Sequence, residues 1–216
     1  MHNPAEWLTA VGTLLLAVVA VFQDRIHQWM FKPEFGRNCF KTHCVKKKFM
    51  QVGTQPVTRP HFDLTITITN SGKAAARYVQ VYAENLERQD AQGVFAPVPN
   101  FVPTYLTWTG PRRQPELDVL SPGMPRSCEI AHVIWTDNLP EPIVSVAREV
   151  KEDTFGTVTV LSVAPQGYFE QVFCPGNYRL TIRLGAGNAK TVTRILSIKV
   201  TGRWSDSDSD MVEFKI

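Results

Sequence analysis

Sixteen consecutive positions, Trp7 to Phe22 (WLTAVGTLLLAVVAVF), carry no charge. That run constrains the chain more than any other stretch. A helix buried in a globular core would usually keep one polar face, and this run has none. A helix lying flat in the membrane interface needs a strong polar stripe, which is absent too. Val18-Val19-Ala20 resembles a signal-peptide cleavage site, but MHNPAEW offers Glu6 and no Lys or Arg where a signal peptide carries positive charge. At 1.5 Å per residue sixteen positions fall short of the ~20 that cross a hydrocarbon core. The flanks extend the helix: Pro4 suits a first turn, and QDRIHQWMF (Gln23 to Phe31) continues the pattern. Trp7 and Trp29 are placed as interfacial anchors, with Arg25 and Lys32 reaching for headgroups. The expectation is a transmembrane helix over residues 1–31.

Charge then sets the orientation. The formal net charge is +3, yet Asp24 to Arg59 holds eight basic residues and two acids. This reads as a basic juxtamembrane linker over residues 32–60. Positive flanks stay cytoplasmic, so a single-pass inner-membrane protein with its N-terminus outside and its domain in the cytoplasm is expected. Lys46, Lys47 and Lys48 form a cluster suited to anionic lipid, at roughly 1 kcal/mol per nearby cation; a plain solvated linker is the competing reading. Within the helix, Thr9, Thr13 and Ala17 recur every four residues, beside Gly12, Leu16 and Ala20. Small residues at that spacing let two helices approach closely in lipid, so self-association is a candidate role for them.

From His61 onward the period changes from helix to strand. Phe62, Leu64, Ile66 and Ile68 face one way, Asp63, Thr65, Thr67 and Thr69 the other. Asn70-Ser71-Gly72 is a turn signal, and Tyr78 to Leu86 resumes with Val79, Val81 and Ala83 inward. Further strands are expected at Tyr105–Trp108, Cys128–Trp135, Thr157–Val163, Tyr178–Leu184, Thr193–Val200 and Met211–Ile216, and a short helix at Pro142–Asp153. Gly185-Ala186-Gly187-Asn188 reads as a hairpin turn. About eight short strands punctuated by Pro- and Gly-rich turns indicate a two-sheet sandwich over residues 61–216. The fold class is therefore mainly β: an N-terminal transmembrane helix followed by an immunoglobulin-like antiparallel β-sandwich.

The stretch ITNSGKAAARYVQVYAENL places Asn70, Gly72, Ala76, Val79 and Val81 in the pattern N-x-G-x-x-x-A-x-x-V-x-V. It resembles the strand–turn–strand of CARDB-like and related immunoglobulin-type adhesion domains. There the Gly allows the turn and the small residue tucks beneath the next strand. The layout is also similar to uncharacterised bacterial single-pass membrane proteins that carry such a sandwich. The resemblance covers about twenty residues and implies a fold, not an activity.

No constellation points to catalysis. G-x-S-x-G, H-E-x-x-H, Walker and G-x-G-x-x-G motifs are absent. His132 beside Glu129 or Asp137 resembles a base and its orienter, but no activated nucleophile accompanies them. Cys39, His43, Cys44, Cys128 and His132 are soft ligands, yet the spacing is that of no standard zinc knuckle, and i,i+4 partners on a strand sit about 13 Å apart. They are read as buried, reduced thiols and surface imidazoles, with no metal and no cofactor. The run Trp204 to Asp210 mimics a calcium loop, but counting from Asp206 the sixth position is Met211 rather than Gly. Phe101, Tyr105, Trp108, Arg112 and Arg113 combine aromatic and Arg character in a Pro-rich stretch, the composition of an interface or ligand surface, although aromatic residues also fill sandwich cores.

Two functional readings follow. One is a membrane-anchored cytoplasmic interaction module without catalytic activity, contacting the bilayer through one span and anionic lipid through its linker, and binding a protein partner; nucleic acid is not expected. The other is an oligomeric membrane effector in which a ligand-sensing sandwich is coupled to a self-associating helix, a layout that bacterial defence systems use.

Overall fold

The computed structural model describes residues 4–47, 50–52, 55–57, 61–99, 101–110, 113–135, 159–162, 171–202, 205, 207 and 212–216. Helix α1 spans Pro4–Met30. Its length matches the periodicity, but its apolar content does not reach the expected span. Among the described residues no helix is long and apolar enough to cross a membrane. The physical reason is the sixteen-residue run itself, which covers about 24 Å of axis against ~30 Å of hydrocarbon.

A 3-10 turn (Arg37–Cys39) follows, then β1 (Phe40–Lys47) and the small hairpin β2 (Met50–Val52) and β3 (Gln55–Val57). Next come β4 (His61–Thr69), β5 (Ala76–Gln89), β6 (Phe95–Pro97), β7 (Thr104–Tyr105) and β8 (Thr107–Trp108). The chain continues with β9 (Glu116–Leu120), β10 (Pro125–Trp135), β11 (Thr159–Ser162) and β12 (Val172–Phe173). It closes with β13 (Gly176–Ala186), β14 (Ala189–Val200) and β15 (Val212–Lys215). Two antiparallel sheets form: β1-β4-β10-β11-β12 with β8 on β10, and β15-β14-β13-β5 with β6, β7 and β9 on β5. They share one apolar core, the layout of a β-sandwich. The expected hairpin is present, with Gly187-Asn188 joining β13 to β14.

The period-2 pattern explains the core. Phe62, Leu64, Ile66 and Ile68 from one sheet and Val79, Val81, Ala83, Leu180, Ile182 and Leu196 from the other are all fully buried. Each large aliphatic side chain so buried contributes roughly 1.5–3 kcal/mol. Two stretches in particular differ from the sequence pattern. Residues 40–47, placed in the linker, form an edge strand paired with β4 along its whole length, from Phe40 opposite Ile68 to Lys47 opposite His61. Its lysines and His43 hid a strand whose inward residues Phe40 and Cys44 meet the core. Tyr105–Trp108, expected as one strand, is two: β7 pairs with β5 in one sheet and β8 with β10 in the other. The chain crosses between sheets at Leu106, which is buried and donates its N–H to Val81 O at 2.8 Å. The helix expected at Pro142–Asp153 lies outside the described residues, as does most of the acidic run at 204–210.

The turn after β4 does more than reverse the chain. Asn70 is fully buried and saturates its amide. Its Oδ1 accepts from Gly72 N–H at 2.9 Å and from Glu34 N–H at 3.1 Å. Its Nδ2 donates to Ala74 O at 2.7 Å and Leu120 O at 3.0 Å. Ser71 N–H reaches Glu34 O at 2.9 Å and Lys73 N–H reaches Lys32 O at 3.2 Å. Residues 32–35, the first after α1 and Phe31, are thereby stitched to the sandwich. Gly72 permits this approach: a Cβ there would lie 2.2 Å from Lys32 O and 2.5 Å from Glu34 N.

At the opposite end of the same core, the Tyr178 hydroxyl donates to Cys174 O, four residues upstream at the start of β13, in the manner of the tyrosine corner of Greek-key sandwiches. Burial pushes this phenol up to about 12, opposed by the Arg88 guanidinium 6.0 Å from its ring. The folded value stands above the ordinary 10, so the fold favours the neutral phenol. Its contribution is complete below the ordinary value and is lost as pH rises through the folded one.

Two outcomes are expected in denaturant unfolding followed by tryptophan fluorescence. Gly72→Ala forces backbone apart and destabilises by about 1–3 kcal/mol, as does Asn70→Ala through its unpaired partners. Wild-type stability declines between about pH 10 and pH 12, and a Tyr178→Phe variant loses the part of that decline due to the phenol.

Candidate functional site

Strand β4 begins with a run buried on both faces: His61, Phe62, Asp63 and Leu64. Phe62 and Leu64 point into the sandwich, so His61 and Asp63 occupy the outer face. Asp63, which alternation places opposite the apolar face, is 1% exposed, and His132, expected as a surface imidazole, is 7% exposed. Across the sheet His132 lies in register with Asp63, and its outward aim depends on a bulge. The pairing of β10 with β4 shifts between Glu129 and Ala131, which inserts Ile130. Without that extra residue Cys128 and His132, four apart, would share a face. With it, Cys128 turns into the core opposite Ile66 while His132 turns out.

The result is a compact polar cluster. His132 Nδ1 lies 2.8 Å and His61 Nε2 3.1 Å from the same oxygen, Asp63 Oδ1. The two rings meet edge to face with centroids 5.8 Å apart. Lys47, in register with His61 on β1, places its ammonium against Asp63 Oδ2 as an ion contact without hydrogen-bond alignment. On the other side His132 Nε2 is 3.6 Å from Glu129 Oε1, and Arg113 Nη1 is 3.5 Å from Glu129 Oε2. Burial by itself raises the Asp63 pKa. Hydrogen bonds from His132 and His61, attraction to His132 and the Lys47 ammonium outweigh it and hold the carboxyl well below the usual carboxylate range.

The sequence-predicted residues fall in several places. Thr9, Thr13 and Ala17 are exposed on α1. The Thr9 hydroxyl donates to Ala5 O at 2.9 Å and that of Thr13 to Thr9 O at 2.8 Å, so both are satisfied within the helix. Lys46 and Lys47 sit at the end of β1 and Lys48 lies outside the described residues; Lys47 serves the buried carboxylate, which sequence spacing gave no way to see. Trp108 is 4% exposed and its Nε1 donates to Val79 O at 3.1 Å, so it is a core residue and not part of a ligand surface. Phe101 is half-buried against the core, with its ring 6.3 Å from Phe173. Tyr105 is exposed beside Tyr82, with centroids 5.0 Å apart. Arg113 is committed to Glu129, and Arg112 lies outside the described residues.

No disulfide joins the four cysteines, and Cys39 and Cys128 are buried. Burial drives the Cys128 thiol far above its ordinary value, with the Glu129 charge adding to the effect. No protein-family model, no curated protein and no solved structure matches this chain.

Two measurements probe this region. Cys39 and Cys128 are expected to resist alkylation in the folded protein and to react on unfolding, read by mass spectrometry. Asp63→Asn should cost about 3 kcal/mol, because it strips a buried charge from its partners. Lys47→Met, from the half-exposed rim, should cost about 1 kcal/mol or less in the same unfolding assay.

Proposed function

We propose that this chain is a membrane-attached β-sandwich that binds a protein partner, with α1 as the attachment and no catalytic role. The observation that carries the reading is the surface of α1. Trp7, Leu8, Leu14, Leu15, Leu16, Val19 and Val21 each expose more than half of their area, over more than half of the helix circumference. Isolated exposed leucines are unremarkable, but a whole apolar helix in water is not a stable surface. Lipid is the environment in which such a surface, with every backbone group bonded internally, is favoured. The apolar run is short, so seating it draws on the continuation of α1 to Met30 and on local thinning of the bilayer. Basic residues beyond the helix favour a cytoplasmic domain. The immunoglobulin-like, CARDB-like character is part of the same proposal, supported by the N-x-G turn and by the tyrosine corner.

The second reading, an oligomeric effector, draws on the Thr9–Thr13–Ala17 stripe. Its hydroxyls are bonded to their own backbone, so a second helix could pack against it with no polar group left unpaired. The clasp at Asn70 would then join sandwich and helix mechanically.

Membrane fractionation with alkaline extraction tests the attachment. The full chain should remain with the membrane, and Leu15→Glu should release it; a wild-type chain recovered in the supernatant overturns the proposal. Native mass spectrometry of the full chain in nanodiscs separates the two readings. An oligomer that dissociates in an Ala17→Leu variant supports the effector, and a monomer supports the tether.

A further inference from the structure

We propose that His61, Asp63 and His132 form a binding site for a divalent transition-metal ion, with zinc as the natural occupant, that staples β4 to β10 on the outer face of the sandwich.

The first support is convergence. One ligand atom from each residue, Nε2 of His61, Oδ1 of Asp63 and Nδ1 of His132, lies within 4.8 Å of the others. Both rings aim at one carboxylate oxygen, at 3.1 and 2.8 Å. Zinc bound to nitrogen and oxygen at about 2.0–2.2 Å holds neighbouring donors roughly 3.3 Å apart in a tetrahedron. Two of the three donor pairs, at 3.1 and 2.8 Å, lie close to that spacing, and all three donors fall within 4.8 Å of one another. Two imidazoles and a carboxylate suit zinc and its first-row neighbours rather than calcium or magnesium, which prefer all-oxygen sets.

The second support is the surrounding shell. Metal-bound imidazoles ordinarily give their second N–H to a carboxylate, which fixes the tautomer and the ring plane. For His132 the group on that side is Glu129: its Oε1 lies 3.6 Å from Nε2, an ion-pair distance rather than a hydrogen bond, and its Oε2 lies 3.5 Å from Arg113 Nη1. Asp63 likewise offers Oδ1 to the imidazoles while Oδ2 is engaged by Lys47. Asp63 and His132 thus each have a remote polar atom facing a group of complementary charge, and they sit on paired strands in register.

The third support is burial. All three residues are at most 7% exposed, on a sheet face where solvated polar residues are the rule. A buried ionic cluster is weak as a source of stability by itself, since apolar residues of the same volume do as well or better. An ion at the point of convergence gives the cluster a function that hydrogen bonds alone do not. Three protein donors leave a fourth position for water or an anionic group, and Lys47, half exposed beside Asp63, adds a positive charge at the rim of the site.

The test uses the full chain in detergent, stripped with chelator and titrated with Zn2+ by calorimetry. The expected result is one ion per chain and a higher melting temperature in the presence of zinc. His61→Gln should weaken binding at least 100-fold, and Glu129→Gln by about 10–100-fold while leaving the three donors in place. Should His61→Gln fail to fold by circular dichroism, Glu129→Gln and the Co2+ spectrum decide. Bound Co2+ should give visible d–d bands without thiolate charge transfer. Absence of zinc binding overturns the proposal, as does unchanged affinity in both variants. A thiolate band overturns it too, because it places the ion on the free cysteines.

Discussion

The fixed point of this architecture is the side chain of Asn70. Four hydrogen bonds from one buried amide tie together three segments distant in sequence: the turn after β4, the end of β9 at Leu120 and the backbone of Glu34. Asn suits the position because its amide offers a two-electron-pair acceptor and two donors in one plane, and every one of them is used. Its backbone takes part as well, since Gly123 N–H donates to Asn70 O at 2.8 Å. Because Gly72 lacks a Cβ, the backbone of residues 32–34 can lie directly on the turn. Phe35 then enters the core and β1 starts in register with β4. Removing this corner would loosen the first strand, the end of the helix and the β9 edge together.

The outer face of the β1-β4-β10 sheet is organised on a different principle. Its inward face follows plain alternation and is held by apolar contact. Its outward face near the start of β4 carries a carboxylate with an imidazole on each side, an ammonium at one rim and a second carboxylate at the other. The bulge at Ile130 links the two faces, because it switches which side of β10 the chain presents midway along the strand. Cys128 completes the core and His132 completes the cluster as consequences of one inserted residue.

How much of this was legible in the sequence depends on the range of the signal. Strands with strict alternation, such as Phe62 to Ile68 or Tyr178 to Leu184, were readable, as were the Gly187-Asn188 hairpin and the extent of the helix. The edge strand Phe40–Lys47 was not, since an edge exposed on one side mixes lysines with core residues and looks like a basic linker. Nor was the change of sheet at Leu106, where two residues on each side are too few for a period. The cluster was visible only in fragments. His132 and Glu129 stand out as neighbours, whereas Asp63 reads only as one of four outward residues of a strand and His61 carries no signal. Nothing local joins residue 61 to residue 132; register does, and register is settled by the whole sheet. Trp108 shows the converse error, in that a composition typical of binding surfaces belonged to the core.

The stitched segment at residues 32–35 has a geometric implication for the molecule at work. Only Phe31 separates the end of α1 at Met30 from the first residue held by the turn, and one extended residue spans at most ~3.6 Å. A sandwich joined to its helix through so short a connection has almost no tether to explore. On the proposed membrane attachment, the domain would ride at a set height and with limited swing, so that its meetings with other molecules would become a search over a plane. Which face it turns toward its neighbours is then a property of the joint as much as of the surface chemistry.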